Sequence, residues 1–355
     1  MVSLYIGSTK GYSGKNLTVL GIGQRFIDDG LKVGYLKPYG RLPMKANGVL
    51  TDKDAWFIHR ALSLEDPVET LCPVVMTQDL MVESCRDECP GLDIKILEAF
   101  EIVSKGKDVV LIGGAGTLES GKVLNVSGFD LIRRLNAWVV LVDSYEREFY
   151  LDEVLDATER LKERLIGIIL NKVEVSYVEE LERLIIPFLE RRGIPVLGTL
   201  PHDAVLGSVM IADIVDALAG DVLCCRDKLE GLVEHFLIAS MQVDQALKYI
   251  RKARNNAVIV GGDRPDIQLA AIEAGTQCLI LTGNLYPNEI VISKADITGI
   301  PIIVVRGDTF SVAKRVEQLS SKLRLREKEK VESGIRLVEE KVDFSRLYKG
   351  LGITV

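Results

Sequence analysis

The sequence predicts an α/β protein: a doubly wound, mostly parallel sheet followed by a second, smaller α/β domain. Three observations carry this prediction. Short β-branched runs alternate with longer helical patterns over the first two hundred residues. The same alternation starts again after residue 232. The length of 355 residues suits two domains, each large enough to bury its own core.

Taken in order, strands are expected at 2–6, 32–37, 108–112, 137–142, 166–170 and 195–197, each an apolar run of core-strand length. Helices fall between them at 15–29, 52–62, 94–105, 127–135, 148–164 and 177–192. Gly193 ends the last of these, and Pro195 forbids its continuation. Each connection between parallel strands takes a right-handed crossover, which winds helices over both faces. One more helix closes the pattern near 209–220. The second unit then reads helix 243–253, strand 257–260, helix 265–274, strand 278–281, helix near 287–295, strand 301–305 and helix 309–322. This divides the chain into 1–214, 215–323 and a charged tail at 324–355. In the tail, Val331, Ile335, Val338 and Val342 follow at steps of four, three and four, so they share one helix face. Such a stripe either packs on its own domain or meets a partner.

Composition narrows the function classes. There are 44 basic and 51 acidic side chains, a formal charge of −7, with 47% hydrophobic and 27% charged residues. A chain of this acidity lacks the broad positive field of a non-specific nucleic-acid binder. No apolar run approaches the roughly 18 to 20 residues of a membrane span. Met1–Ile6 has no basic lead and does not read as a signal peptide, so a cytoplasmic protein with reduced thiols is expected. The six cysteines are too dilute for a disulfide framework. Cys85-x-x-x-Cys89 and Cys224-Cys225 have no matching histidine cluster, which argues against zinc.

The most specific chemical signal lies between the first strand and the first helix: Gly7-Ser8-Thr9-Lys10-Gly11-Tyr12-Ser13-Gly14-Lys15-Asn16. Glycines let backbone amides turn toward phosphate oxygens. The following helix N-terminus adds its partial positive charge, and Lys15 can reach the β and γ phosphates. Thr9 stands where the plain phosphate-loop pattern has its first glycine. Lys10-Gly11-Tyr12-Ser13-Gly14-Lys15 has instead the two-lysine form K-G-x-x-G-K. Asn16 replaces the hydroxyl residue that normally meets Mg²⁺. Asp143 ends an apolar strand, and reads either as a turn former or as a strand-end acid. In the second domain, Gly261-Gly262-Asp263-Arg264-Pro265 follows a strand and opens a helix. That turn can hold an anion with Arg264 as the fork, or Asp263 can cap the helix while Arg264 pairs with a neighbour. Thr282 and Gly283 end the next strand beside the same rim.

The two-lysine loop resembles the deviant Walker A loops of the ParA and MinD ATPases and their metabolic relatives. That resemblance implies a P-loop NTPase fold, with Lys10 reaching a nucleotide across a dimer. Gly34-Tyr35-Leu36-Lys37-Pro38, Asp54-Ala55, Gly114-Ala115-Gly116 and Ile168-Ile169-Leu170-Asn171 follow in the order seen in dethiobiotin synthetase-like domains. Leu71-Cys72-Pro73-Val74 and 195–201 are similar to the N-terminal region of long bacterial phosphotransacetylases. The residues 261–264, 270–275 and 281–283 resemble the DRTGG domain that follows in those proteins. The sequence ends at Val355, so the resemblance implies the regulatory part of such an enzyme without its acetyltransferase domain.

Carried over residue by residue, the resemblance implies a nucleotide held by Lys10, Gly11, Ser13, Gly14, Lys15, Asn16, Gly114 and Asn171. Lys37 would hold the substrate and the transferring phosphate, and Asp54 would bind Mg²⁺. Gly113 stands where these families carry a strand-end glutamate. With Asn16, it leaves the metal site altered, and weak or absent hydrolysis is expected. ATP or a related nucleotide is the expected cofactor, with Mg²⁺ left open. The leading expectation is a nucleotide-binding regulatory or sensor protein, a homodimer, with a small metabolite or dimer contacts at Asp263, Arg264, Thr282 and Gly283. An ATP-dependent ligase of the dethiobiotin synthetase or cobyrinic acid diamide synthase type is the second reading. An interaction module with a relict loop is the third.

Overall fold

Val-, Ile- and Leu-rich runs become the central strands because both their faces are covered, and an apolar side chain is stabilised on either one. The structure, a computed structural model, describes residues 1–86, 91–145, 151–321 and 328–354. It divides into two units, Met1–His202 with Leu325–Val355, and Asp203–Arg324.

The first unit carries β1 (Val2–Gly7), β2 (Val33–Leu36), β3 (Val109–Gly113), β4 (Trp138–Ser144), β5 (Leu165–Val173) and β6 (Val196–Pro201). They pair in parallel in the order β6-β5-β4-β1-β3-β2. The helices are α1 (Lys15–Asp28), α2 (Lys53–Ala61), α3 (Leu92–Ser104), α4 (Gly128–Arg134), α5 (Leu151–Leu161) and α6 (Ile186–Arg191). Asp52 caps α2 and Ser127 caps α4 through side-chain oxygens, whereas α1 has no side-chain cap.

Three local differences from the sequence reading have physical causes. The helix expected over 177–192 is not one straight α-helix; it widens to a π turn at Leu181–Ile185 before α6. Pro187, at the start of α6, has no N–H to continue the ladder. A hairpin of Pro43–Ala46 with Val49–Asp52 stands where no strand was expected. Its turn, Asn47-Gly48, has positive φ at both residues, the two-residue form that suits a twisted hairpin. The expected strand 137–142 runs on to Ser144, which places Asp143 inside the sheet. Of the helix expected at 148–164, residues 148–150 lie outside the described residues.

The second unit has α7 (Ile211–Leu218), β7 (Asp221–Val222), β8 (His235–Ile238), α8 (Val243–Ile250), β9 (Asn256–Gly261), α9 (Pro265–Glu273), β10 (Cys278–Thr282), α10 (Glu289–Thr298), β11 (Ile302–Val304) and α11 (Thr309–Ser321). The sheet order is β7-β11-β10-β9-β8, parallel except for β7. A cut at 214/215 would divide α7. The structure keeps that helix in the second unit because Ile211, Ile214 and Leu218 share a core with Ile303, Val312 and Val316.

The tail forms α12 (Lys328–Lys341) and α13 (Phe344–Leu351), and both pack on the first unit rather than standing apart. Val338 and Val342 of the expected stripe are buried. A Cβ on Gly21 of α1 would lie 2.3 Å from that of Val338, so the missing side chain permits the close approach of α1 and α12. Arg346 forks onto Glu190 at 2.6 and 3.1 Å.

Candidate functional site

The phosphate loop leaves the C-terminal end of β1, in the centre of the sheet, where ligands gather in open α/β folds. Gly14 adopts φ 95°, a left-handed conformation that other residues reach only with strain, and it turns the chain into α1. The backbone N–H groups of Ser13, Gly14, Lys15 and Asn16 have no acceptor among the described residues. Four unpaired amides at the positive end of a 14-residue helix form a candidate anion site.

Lys15 lies against this cradle. Its Nζ donates to Ser8 Oγ and to the Gly116 carbonyl, both at 2.6 Å. Burial pushes its pKa down to about 8, against the pull of Asp143 and Asp54, and the charge of Lys37 pushes the same way as burial. Gly116 belongs to the segment after β3, which is tied to β1 by Gly114 N–H to Ile6 O at 3.0 Å and Leu118 N–H to Ser8 O at 3.0 Å.

Asp143 is no turn residue. Fully buried on β4, it accepts from Thr9 N (3.0 Å), Thr9 Oγ1 (3.0 Å), Lys10 N (3.2 Å) and Ser13 Oγ (3.4 Å). Burial raises its pKa even against these donors. Asn171, at the end of β5, is likewise turned onto the loop: Nδ2 donates to Ser13 O at 2.9 Å, and Oδ1 accepts from Lys172 N. The loop is thus shaped by its neighbours' side chains, while the amides of Ser13–Asn16 stay open. Gly11 is exposed with nothing against it, and Asn16 is half-buried in the first turn of α1. Lys10 gives its N–H to Asp143 and its carbonyl to Ser8 and Ser13.

Beside the loop, Lys37 follows β2 and is 5% exposed. Its Nζ is held between Asp52 Oδ1 at 2.7 Å and Asp54 Oδ2 at 3.1 Å. Burial works against its charge, but Asp54 and Asp52 outweigh it and hold the pKa above the ordinary lysine value. Asp52 also accepts from the backbone N–H of Arg41, Leu42, Asp54 and Ala55, so both its oxygens are used. The Tyr35 hydroxyl is fully buried and has no hydrogen-bond partner among the described residues, and it lies 2.7 Å from where a Cβ of Gly113 would stand. Burial first, then Asp52 and Asp54, push its pKa well up, so it is a neutral phenol.

These residues do not fit a divalent cation. Asp54 is bonded to an ammonium, Asp52 and Asp143 are used by donors, and Gly113 and Asn16 bring no acid. Among the described residues no group of three His, Cys, Asp or Glu is placed to hold a metal. Cys89 of the Cys85-x-x-x-Cys89 pair lies outside the described residues. Asp143, Asp52, Ser8 and Tyr35 are the site residues the sequence reading missed or undervalued. Asp143 carried the signal of an acid ending an apolar strand, and Asp52 that of an acid that could stand in for the missing strand-end carboxylate.

In the second unit, Gly261 and Thr282 are in register, so the two rim turns meet. Arg264 pairs in bidentate fashion with Asp266 at 3.0 and 2.9 Å, and it is Arg264, not Asp263, that stands at the N-cap of α9. The Thr282 hydroxyl meets Thr309 Oγ1 at 2.8 Å, and Gly283 turns with φ 82°.

Residues 2–210 match the model of a family described as AAA domain, which is more than half of the chain. The chain belongs to that family. Residues 213–319 of this AAA domain protein match a second model, the DRTGG domain. A phosphate acetyltransferase of Synechocystis sp. is 24% identical over 384 residues, 97% of this chain and 51% of that enzyme. One from Nitratidesulfovibrio vulgaris is 26% identical, again over 97% of this chain and 51% of its own length. The chain therefore spans about half the length of these curated relatives. An ATP-dependent dethiobiotin synthetase of Thermodesulfovibrio yellowstonii is 28% identical over 56% of this chain and 88% of its own. Among solved structures, cobyrinic acid a,c-diamide synthase from Mycobacterium smegmatis, with a bound ATP analog and magnesium, gives a TM-score of 0.38 at 17% identity, over 57% of this chain and 86% of its own. The family is that of P-loop, dethiobiotin synthetase-like domains, here joined to a DRTGG domain. No described helix is long and apolar enough to cross a membrane.

Proposed function

We propose that this protein is a cytoplasmic regulatory protein that binds ATP or a related nucleotide at the phosphate loop, with weak or no hydrolysis. The observation that carries this reading is the cradle of unpartnered amides at Ser13–Asn16 with the half-buried Lys15 beside it. Four N–H groups and an ammonium can bind phosphate oxygens, but among the described residues no group of acids is placed to hold the ion that would neutralise charge in phosphoryl transfer. The DRTGG unit would then bind a small metabolite or a second copy of the chain at the rim of Asp263, Arg264, Thr282 and Gly283. Calorimetry with ATP and ADP tests the reading. Saturable binding by the wild type and a loss of at least tenfold in Lys15→Ala are expected. No binding, or equal binding by the variant, refutes it.

A second reading, an ATP-dependent ligase, draws on the buried Lys37 at a strand end, where it could hold an activated carboxylate. ADP release stimulated by one of a panel of organic acids would favour it over the sensor.

A further inference from the structure

We propose that nucleotide binds to this loop without a divalent cation, and that the Lys37 ammonium, fixed between Asp52 and Asp54, is the site's resident positive charge beside Lys15. The inference rests on the nucleotide-binding reading above and deepens it.

Among the described residues, the acids whose charge is felt at Lys15 or that pair with Lys37 are already engaged. Asp143 is occupied by four donors from Thr9, Lys10 and Ser13. Asp52 takes four backbone N–H groups and Lys37. Asp54, the carboxylate open to solvent along one side, is bonded to Lys37. A divalent ion would have to displace an ammonium that two carboxylates hold inside the protein, where such pairs are strongest once desolvated. The place where a further acid could stand, Gly113 at the end of β3, is filled instead by the ring and hydroxyl of Tyr35. Asn16 adds only a neutral amide. The positive side is correspondingly built in: the charge of Lys37 is felt at Lys15, and the Ser13–Asn16 amides end a helix dipole. A carboxylate pair closed on a lysine offers the arrangement a metal site would have, with the cation supplied by the chain.

Two measurements test this. First, ATP is titrated into the wild-type protein in excess Mg²⁺ and in EDTA. Affinities within threefold of each other are expected. Binding only with Mg²⁺, or weakened more than tenfold by EDTA, overturns the inference while leaving the nucleotide reading intact. No binding in either buffer refutes the nucleotide reading, and with it the inference. Second, Mn²⁺ is titrated into wild type and Lys37→Ala, followed by electron paramagnetic resonance. The wild type should leave Mn²⁺ free, whereas the variant exposes the Asp52–Asp54 pair and should bind it. Mn²⁺ bound by the wild type overturns the inference, as does a folded Lys37→Ala variant that binds none. Should that variant not fold, the ATP comparison on the wild type decides alone.

Discussion

At the scale of single residues, the site depends on charges kept out of water. Lys15 must carry its proton to meet a phosphate, and burial has brought its pKa down to about 8. Below that pH the ammonium is formed in the free protein. Above it, a binding anion must restore the proton, so affinity falls, by up to about tenfold per pH unit. Calorimetry between pH 6.5 and 9.5 should show this decline, and Lys15→Ala should abolish it. Asp143 is the complementary case. Asp143→Asn replaces one acceptor oxygen with an amide that faces the donors of Thr9 and Lys10. Leaving buried N–H groups unpaired should cost about 1–3 kcal/mol in urea denaturation and weaken nucleotide binding as well. An unchanged midpoint would mean that the loop holds its shape without this carboxylate.

Elements set how closely these residues approach one another. The loop-to-helix turn works because Gly14 is left-handed and because Asn171 fills the space beside it: an added Cβ would lie 2.0 Å from Asn171 Nδ2. Gly14→Ala should therefore destabilise by about 1 kcal/mol or more, from backbone strain and from the clash. Adding Asn171→Ala should recover the clash and leave the strain, so the double variant should melt above Gly14→Ala and below Asn171→Ala. Full recovery would show that the left-handed backbone costs nothing there. The α1–α12 packing follows the same rule, with Gly21 admitting Val338 to a distance that no side chain would allow. That contact ties the helix that presents the phosphate loop to the end of the chain.

For the molecule as a whole, the tail belongs to the first unit. Val338, Phe344, Leu347 and Leu351 are buried, and Asp343 N–H reaches Leu197 O at 2.7 Å across to β6. A chain truncated before Lys328 lacks these side chains and exposes the first-unit surface they cover, and each such buried side chain is worth about 1.5–3 kcal/mol. Differential scanning calorimetry should show a lower transition for the first unit in that variant, and identical melts would refute the docking. Nucleotide at a hundred times its Kd should raise stability by about 2.7 kcal/mol in wild type.

Much of this architecture is legible in the sequence. The alternation of apolar runs and helical stretches named the strands of the main sheet, since a strand covered on both faces is written as a continuous run of Val, Ile and Leu. The glycine–lysine loop marked the turn from β1 into α1, where the amides of Ser13–Asn16 stay open beside Lys15. The hairpin around Asn47-Gly48 was not read, although both turn residues favour positive φ, because its flanking strands are partly exposed and lack the apolar pattern. What the sequence by itself determined is local: period, turn chemistry, and the residue types beside the loop. Only the tertiary structure decided which charges meet. Lys37 finds Asp52 and Asp54 fifteen and seventeen residues on, Asp143 crosses from β4 to Thr9, and Tyr35 covers Gly113 from the neighbouring strand. Electrostatics and burial depend on distance in space, and no periodicity along the chain records it.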